Sequence, residues 1–296
     1  LSSATLTLAP TAPWRDYVTL TKPRIMSLLL VTGACGMIAG AHGWPGLAPF
    51  AAATTGLALA CGGASALNHV LDADIDRLMG RRTEQRPVAA GRISPANAAF
   101  FGVALSVLGV VLLASTLNLL TAALALAGNL FYVLVYTRLL KRRTTQNIVI
   151  GGAAGAVPPL VGWAAATGRV GLPALCLFAI VFLWTPPHFW SLAILLREHY
   201  AAARVPMLPV VKGERETVRQ IVLYTLLLVA ATAVPFALGA FGLVYLAGAL
   251  LLGGAFVVLA VRLARAPSRR AAAVLFHYSL LYLALLFVAA AVDLAV

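Results

Sequence analysis

The sequence predicts an all-α integral membrane protein with nine transmembrane helices around a central apolar cavity. Three observations carry this. Hydrophobic residues make up 61% of the 296 and charged residues only 10%, against roughly 25% charged in a soluble domain, and the mean hydropathy is +0.94. The apolar sequence divides into nine runs, counting about 20 residues per span. The basic residues are confined to the stretches between those runs and fall almost wholly on one side.

In order, the predicted spans cover 24–41, 48–69, 96–115, 118–138, 147–166, 171–194, 219–238, 241–261 and 272–293. They form one domain, 1–296, entered through a polar, amphipathic segment at 1–23 that ends in WRDYVTLTKP. No short signal-peptide pattern is visible there, so the spans themselves are expected to carry the membrane address. Glycines recur within the spans (Gly33, Gly36, Gly40; Gly151, Gly152, Gly155), as close helix contact in lipid requires. Cys35, Cys61 and Cys176 each fall inside a span. An odd, scattered set reads as small buried hydrophobes rather than a disulfide framework.

The loops set the orientation. With nine spans, 21 of the 22 lysines and arginines lie on one side and only Arg169 on the other. That side is cytoplasmic by the positive-inside rule, which places the N-terminus inside and the C-terminus outside; the expected location is a bacterial inner membrane. The net charge of +13 is therefore a membrane signature, and no nucleic-acid partner is expected. The two long cytoplasmic loops, near 70–95 and 195–218, follow spans two and six. This four-span offset hints at an internal repeat.

The first long loop opens with NHVLDADIDRLMGRRTEQR, Asn68 to Arg86, in which three of the nine acidic residues, Asp72, Asp74 and Asp76, fall within five positions. Asn68, Asp72 and Asp76 are spaced i, i+4, i+8, so on a helix they drift only ~80° and point one way, whereas Asp74 faces elsewhere. Two carboxylates and an amide oxygen are hard ligands suited to Mg²⁺ held through a substrate's phosphates. Arg77, Arg81, Arg82 and Arg86 add forked donors for phosphate oxygens. His69 would matter if the metal were zinc or iron, and the plain alternative is a solvated helix end. An active site at the cytoplasmic face follows from the first reading.

Two further stretches stand out. In YTRLLKRRTTQNIVIGG, Lys141, Arg142 and Arg143 could be simple membrane anchors, but Thr144, Gln146 and Asn147 carry polarity into the next span, where Pro158 and Pro159 follow. In WTPPHFWSLAILLREHYAAARVPMLPVVKGE, Pro186-Pro187 should break or kink span six. His188, Leu192, Leu195 and His199 then share one face, with Glu198 one position off it. His277 reads as a packing residue. No phosphate-binding glycine loop, nucleotide fingerprint, Gly-x-Ser-x-Gly or Cys-x-x-Cys occurs, which disfavours nucleotide hydrolysis and thiol redox chemistry.

Asn68-x-x-x-Asp72-x-x-x-Asp76 followed by Arg86-Pro87 resembles the first Asp-rich motif of the intramembrane (UbiA-type) prenyltransferases. The likeness covers nearly the whole chain. DYVTLTKPR, LKRRTTQNIVIGGAAGAVPPLVGW and WTPPHFW followed by VPMLPVV are similar to the branch whose acceptor is heme. The resemblance implies a nine-helix fold and a Mg²⁺ cofactor, with farnesyl diphosphate and heme b as substrates. Membrane lipid would surround the chain, with heme A synthase or oxidase-assembly proteins as partners. It implies Asn68, Asp72 and Asp76 as catalytic residues and Mg²⁺ ligands. Arg77, Arg86, Lys141, Arg142 and Glu198 would bind the diphosphate, and His188 and His199 would face the heme. The chain departs from the family in its second loop. Glu198 and His199 stand where two aspartates are usual, and Arg204 where a Gly is usual. Most of the diphosphate is thus left to the first motif. The competing expectations are a sibling enzyme acting on a quinone precursor and a transporter, although transporters place their sites at mid-bilayer.

Overall fold

The computed structural model describes residues 13–294, apart from the side chain of Arg82. Residues 1–12 of the polar segment expected at 1–23 therefore lie outside the described part, as does the Arg82 side chain expected beside the Asp motif. The order is α1 (Trp14–Leu20), α2 (Pro23–Ala41), α3 (Leu47–Leu71), α4 (Ala73–Leu78), α5 (Arg81–Glu84), α6 (Pro95–Thr116) and α7 (Leu119–Leu130) with a π-helical continuation (Phe131–Leu140). Then come α8 (Asn147–Thr167), α9 (Leu172–Leu195), α10 (Arg197–Ala202), α11 (Leu208–Val211), α12 (Gly213–Ala237), α13 (Leu243–Arg265) and α14 (Arg269–Asp293). Among the described residues nine helices, counting α7 with its continuation as one, are long and apolar enough to cross a membrane.

Local chemistry explains the helix ends. Pro23 and Pro95 occupy the first turns of α2 and α6, where the missing N–H is no loss. Ser94, Asn118 and Ser268 accept from the backbone N–H of Asn97, Thr121 and Ala271 and so cap α6, α7 and α14. Two expectations shift. The seventh span starts at Gly213 rather than 219, because Glu214 and Glu216 place negative charge in its first turn. Span six does not break at Pro186-Pro187. These prolines free the carbonyls of Phe182 and Leu183, yet α9 stays helical, packed between α8, α12 and α14.

The helices close into two connected groups. α2, α3, α6, α7 and α8 pack in one, α8, α9, α12, α13 and α14 in the other, and α2 lies along α8 while touching α14. α2 and α8 approach through their backbones, since a Cβ at Gly162 would run into the Gly33 carbonyl oxygen. Lipid offers no hydrophobic drive for helix association, so such backbone approach and polar ties hold the bundle. Asn129 is one tie, donating to the Ala60 carbonyl at 2.8 Å and to Ser106 Oγ at 2.9 Å. Large apolar side chains such as Phe100, Leu119, Leu243 and Leu251 face outward, as a lipid-facing surface demands.

The four-span offset reappears in the backbone. α3 leaves regular geometry at Asp72 (φ −99°, ψ 5°) to start α4, as α9 does at Leu196 (φ −107°, ψ 18°) to start α10. The two loops meet, because the ring of His199 lies against Gly80, whose φ is +100°. Arg204 turns the chain from α10 towards α11 at φ +54°, the left-handed conformation that glycine adopts freely. That explains why glycine is the expected residue there.

Substitutions at three positions test these contacts. Gly162→Ala should lower the thermal unfolding temperature in detergent by several degrees, the overpacking costing about 1–3 kcal/mol. Gly155→Ala, which meets nothing within 4 Å, should instead raise it slightly, because alanine in a helix interior is favoured over glycine by about 0.5–1 kcal/mol. Arg204→Gly should raise it slightly, since glycine holds this left-handed conformation without the Cβ clash that costs other residues about 1–2 kcal/mol, and its extra freedom takes back about 0.5–1.

Candidate active site

The end of α3 places the Asp motif as its spacing predicts. Helical hydrogen bonding continues through the break, from Asp72 N to Asn68 O at 2.9 Å and from Asp76 N to Asp72 O at 2.8 Å. The column is buried, with Asn68 3%, Asp72 0% and Asp76 1% exposed. Asp74 points away and pairs with Arg142 in solvent; that guanidinium holds its carboxyl below the ordinary value.

Buried carboxylates need compensating charge, and three separate junctions supply it. Lys141, after the fourth span, donates to Asp72 Oδ2 at 2.5 Å. Arg86, from the first loop, donates to Asp76 Oδ1 at 2.6 Å. Lys22, before α2, donates to Asn68 Oδ1 at 2.7 Å. The Asn68 amide in turn donates to Asp72 Oδ2 at 2.7 Å and to Thr137 Oγ1 at 3.1 Å. Burial lowers the Lys22 ammonium to about 7, with Arg86 and Lys141 adding to the effect and Asp72 and Asp76 opposing it. Burial also raises the Asp76 carboxyl above its ordinary value against the pull of Arg86.

Two oxygens in this cluster remain without a partner, Asp72 Oδ1 and Asp76 Oδ2, both fully buried. Unpaired carboxylate oxygens are costly in a dry setting, and hard oxygens are what Mg²⁺ takes. The described residues contain no set of three His, Cys, Asp or Glu able to hold a metal by themselves. Two carboxylates and an amide thus fit an ion that completes its shell with substrate oxygens, and they do not fit a zinc or iron cage through His69. Both ring nitrogens of His69 are buried and unbonded.

Not every predicted residue converges here. Arg77 donates through Nε to the Ala89 carbonyl at 3.1 Å, and Arg142 holds Asp74 and the Leu71 carbonyl. Both stand behind the column rather than on its buried face. Glu198 and His199 are exposed on α10, and the buried residue that α10 supplies is Tyr200. Burial pushes its phenol up to about 12, with Arg86 opposing and Asp72 adding to the rise, so Tyr200 stands within the field of the cluster. His188 is separate and deeper in α9, bonded through Nδ1 to Ser279 Oγ at 2.7 Å. Reading the sequence alone missed Lys22, Thr137 and Tyr200. Only the TKPR context of Lys22 marks it, because a lysine before Pro23 looks like any membrane anchor.

The backbone is irregular where these groups meet. Thr137 and Lys141 leave the π-helix, in which Thr137 Oγ1 donates to the Tyr132 carbonyl and Lys141 N to the Tyr136 carbonyl, each five residues back. Lys22 sits at φ +51°. π-turns and strained residues concentrate at functional sites.

Comparison with known proteins agrees with this geometry. Residues 29–289 match the model of the UbiA prenyltransferase family. The chain is 54% identical over 285 residues to a protoheme IX farnesyltransferase of Thermus thermophilus, covering 96% of this chain and 47% of that protein. It is 51% identical to the Marinobacter nauticus protein of the same name, covering 97% and 95%. The chain thus spans about half the length of the Thermus relative and nearly all of the Marinobacter one. In fold it resembles a digeranylgeranylglyceryl phosphate synthase (TM-score 0.79, 19% identity, covering 95% and 98%). It also resembles a UbiA homolog from Archaeoglobus fulgidus bound to GPP and Mg²⁺ (TM-score 0.69, 16% identity, covering 93% and 99%). With an Asp column of this kind and a family match over most of its length, the chain belongs to the UbiA prenyltransferase family.

Proposed function

We propose that the chain transfers a farnesyl group from farnesyl diphosphate to a vinyl group of heme b, with addition of water, forming heme O. One observation carries the diphosphate half of this reading. Asp72 Oδ1 and Asp76 Oδ2 lie buried and unbonded beside Lys22, Arg86 and Lys141. The acceptor half is supported by the names of the relatives, 51–54% identical.

Asn68, Asp72 and Asp76 would hold Mg²⁺. When bound, the ion supplies charge neutralisation to the diphosphate and eases departure of the leaving group. Lys141 and Arg86 orient the two carboxylates and present their remaining N–H groups to phosphate oxygens. Lys22 orients Asn68 and, in its protonated form, adds a third positive charge. Preorganised charge of this kind acts where negative charge develops as the allylic C–O bond breaks. Arg77 and Arg142 act from behind the column, through the field and by holding the loop. Glu198 guards the solvent side of the second loop, and His199 closes that loop over Gly80. The farnesyl chain and the heme take an apolar cavity within the bundle, with His188 on the heme side. The basic end faces the cytoplasm of a bacterial inner membrane.

Two expected outcomes test this. Purified chain with heme b, farnesyl diphosphate and Mg²⁺ should yield heme O by mass spectrometry, and a chelator should stop it. Hydroxybenzoate acceptors should give no product; prenylated hydroxybenzoate in place of heme O would sink the acceptor assignment. Asp72→Ala and Asp76→Ala should each lower kcat/KM by about 10²–10³-fold, the scale of one lost electrostatic contact. Asp74→Ala should stay near wild type, and equal losses at all three would refute the buried-face assignment.

A further inference from the structure

Away from the charged cluster, His188 is held by aromatic rings and a hydrogen bond. It stands seven residues before the end of α9 at Leu195, about 10 Å into the bundle at the helical rise. Its ring is stacked between Trp184, 4.2 Å away and 15° from parallel, and Phe276, at 4.8 Å and 23°. Phe189 meets it edge-on at 5.2 Å. The ring plane is therefore held on both faces.

The hydrogen bonds also settle which ring nitrogen carries the proton. A serine hydroxyl has one hydrogen. Ser279 Oγ gives it to the Phe276 carbonyl at 2.6 Å; turned elsewhere, two acceptor oxygens would face each other at that distance. Towards His188, 2.7 Å away, Ser279 Oγ can then only accept, so Nδ1 is the N–H. A neutral imidazole with its proton on Nδ1 keeps its lone pair on Nε2, and Nε2 has no hydrogen-bond partner among the described residues. Ser279 cannot drift away, because the Trp184 indole N–H donates to its carbonyl at 2.7 Å.

A histidine whose one nitrogen donates to a fixed oxygen while the other stands bare is the arrangement of metal-ligating histidines. We infer that His188 binds the iron of the acceptor porphyrin through Nε2, and that Ser279 is the positioning residue that selects the ligating tautomer. This rests on the heme acceptor proposed above. The bond is dative: Nε2 donates its lone pair to iron, Nδ1 keeps its proton, and no electron or proton moves. Histidine ligation of porphyrin iron is ordinary chemistry, and here it would anchor the macrocycle through α9, held in place by Ser279 on α14.

The test is a spectroscopic titration of the purified full chain with ferric heme b and, in parallel, with metal-free protoporphyrin IX. Ser279→Ala removes only the hydroxyl and should weaken iron-porphyrin binding by about tenfold or more, with metal-free porphyrin unaffected. Ser279→Thr should restore the wild-type affinity. His188→Gly should shift the absorption bands of the bound iron, and added imidazole should bring them back. Equal losses for both porphyrins would make His188 and Ser279 packing residues and overturn the inference, as would an unchanged iron spectrum in His188→Gly. If the wild-type chain binds both porphyrins and makes heme O, the heme reading stands whatever the variants do. If it binds neither, that reading fails and the iron ligand with it.

Discussion

Two carboxylates buried at the end of a membrane helix are held there only by the positive charge that other parts of the chain bring to them. Asp72 and Asp76 receive it from Lys141 and Arg86, and Asn68 links the column to Lys22. These partners come from the entry to the first span, the first long loop and the exit of the fourth span. The whole basic end is thereby tied to one column on α3. Loop and helix positions far apart in the chain are set by a single requirement, that no charge in the low-dielectric cluster stands alone.

The irregular backbone serves the same requirement. Asp72 interrupts α3, the fourth span widens into a π-helix before Lys141, and Lys22 adopts a left-handed conformation next to a proline. Each is less favourable than continuous α-helix, and all three lie at one end. Even so, the π-helix, which leaves Leu134 and Leu139 exposed, keeps its backbone bonds within the segment, since a backbone in lipid has nothing else to bond to. Irregularity is confined to where protein or ligand can satisfy it.

Polar chemistry is thus divided by depth. The basic end gathers charge around one buried carboxylate column, whereas the His188 pocket between α9 and α14 is aromatic and neutral, with one serine setting its tautomer. The second loop works differently from what its sequence suggests. Its acidic and imidazole side chains, Glu198 and His199, face outward, and Tyr200 is the residue it buries. This loop closes over the first through the His199–Gly80 contact rather than by adding carboxylates.

Much of the protein is legible in the order of its residues. Nine spans follow from run length, their common basic side from charge asymmetry, and the shared face of Asn68, Asp72 and Asp76 from helical period, because these are local properties that lipid and hydrogen bonding enforce directly. Even the outward turn of Asp74 is a matter of angle. What tertiary structure alone decided is which cation meets which anion. Arg77 and Arg142 are close in sequence or composition to the motif yet end behind it, while Lys22, 46 positions before Asn68, ends upon it. The π-helix at Phe131–Leu140 and the Nδ1 proton of His188 are of the same kind. The π-helix presents Thr137 to Asn68 and Lys141 to Asp72, the His188 proton faces Ser279, and no spacing within one segment encodes the distance between two.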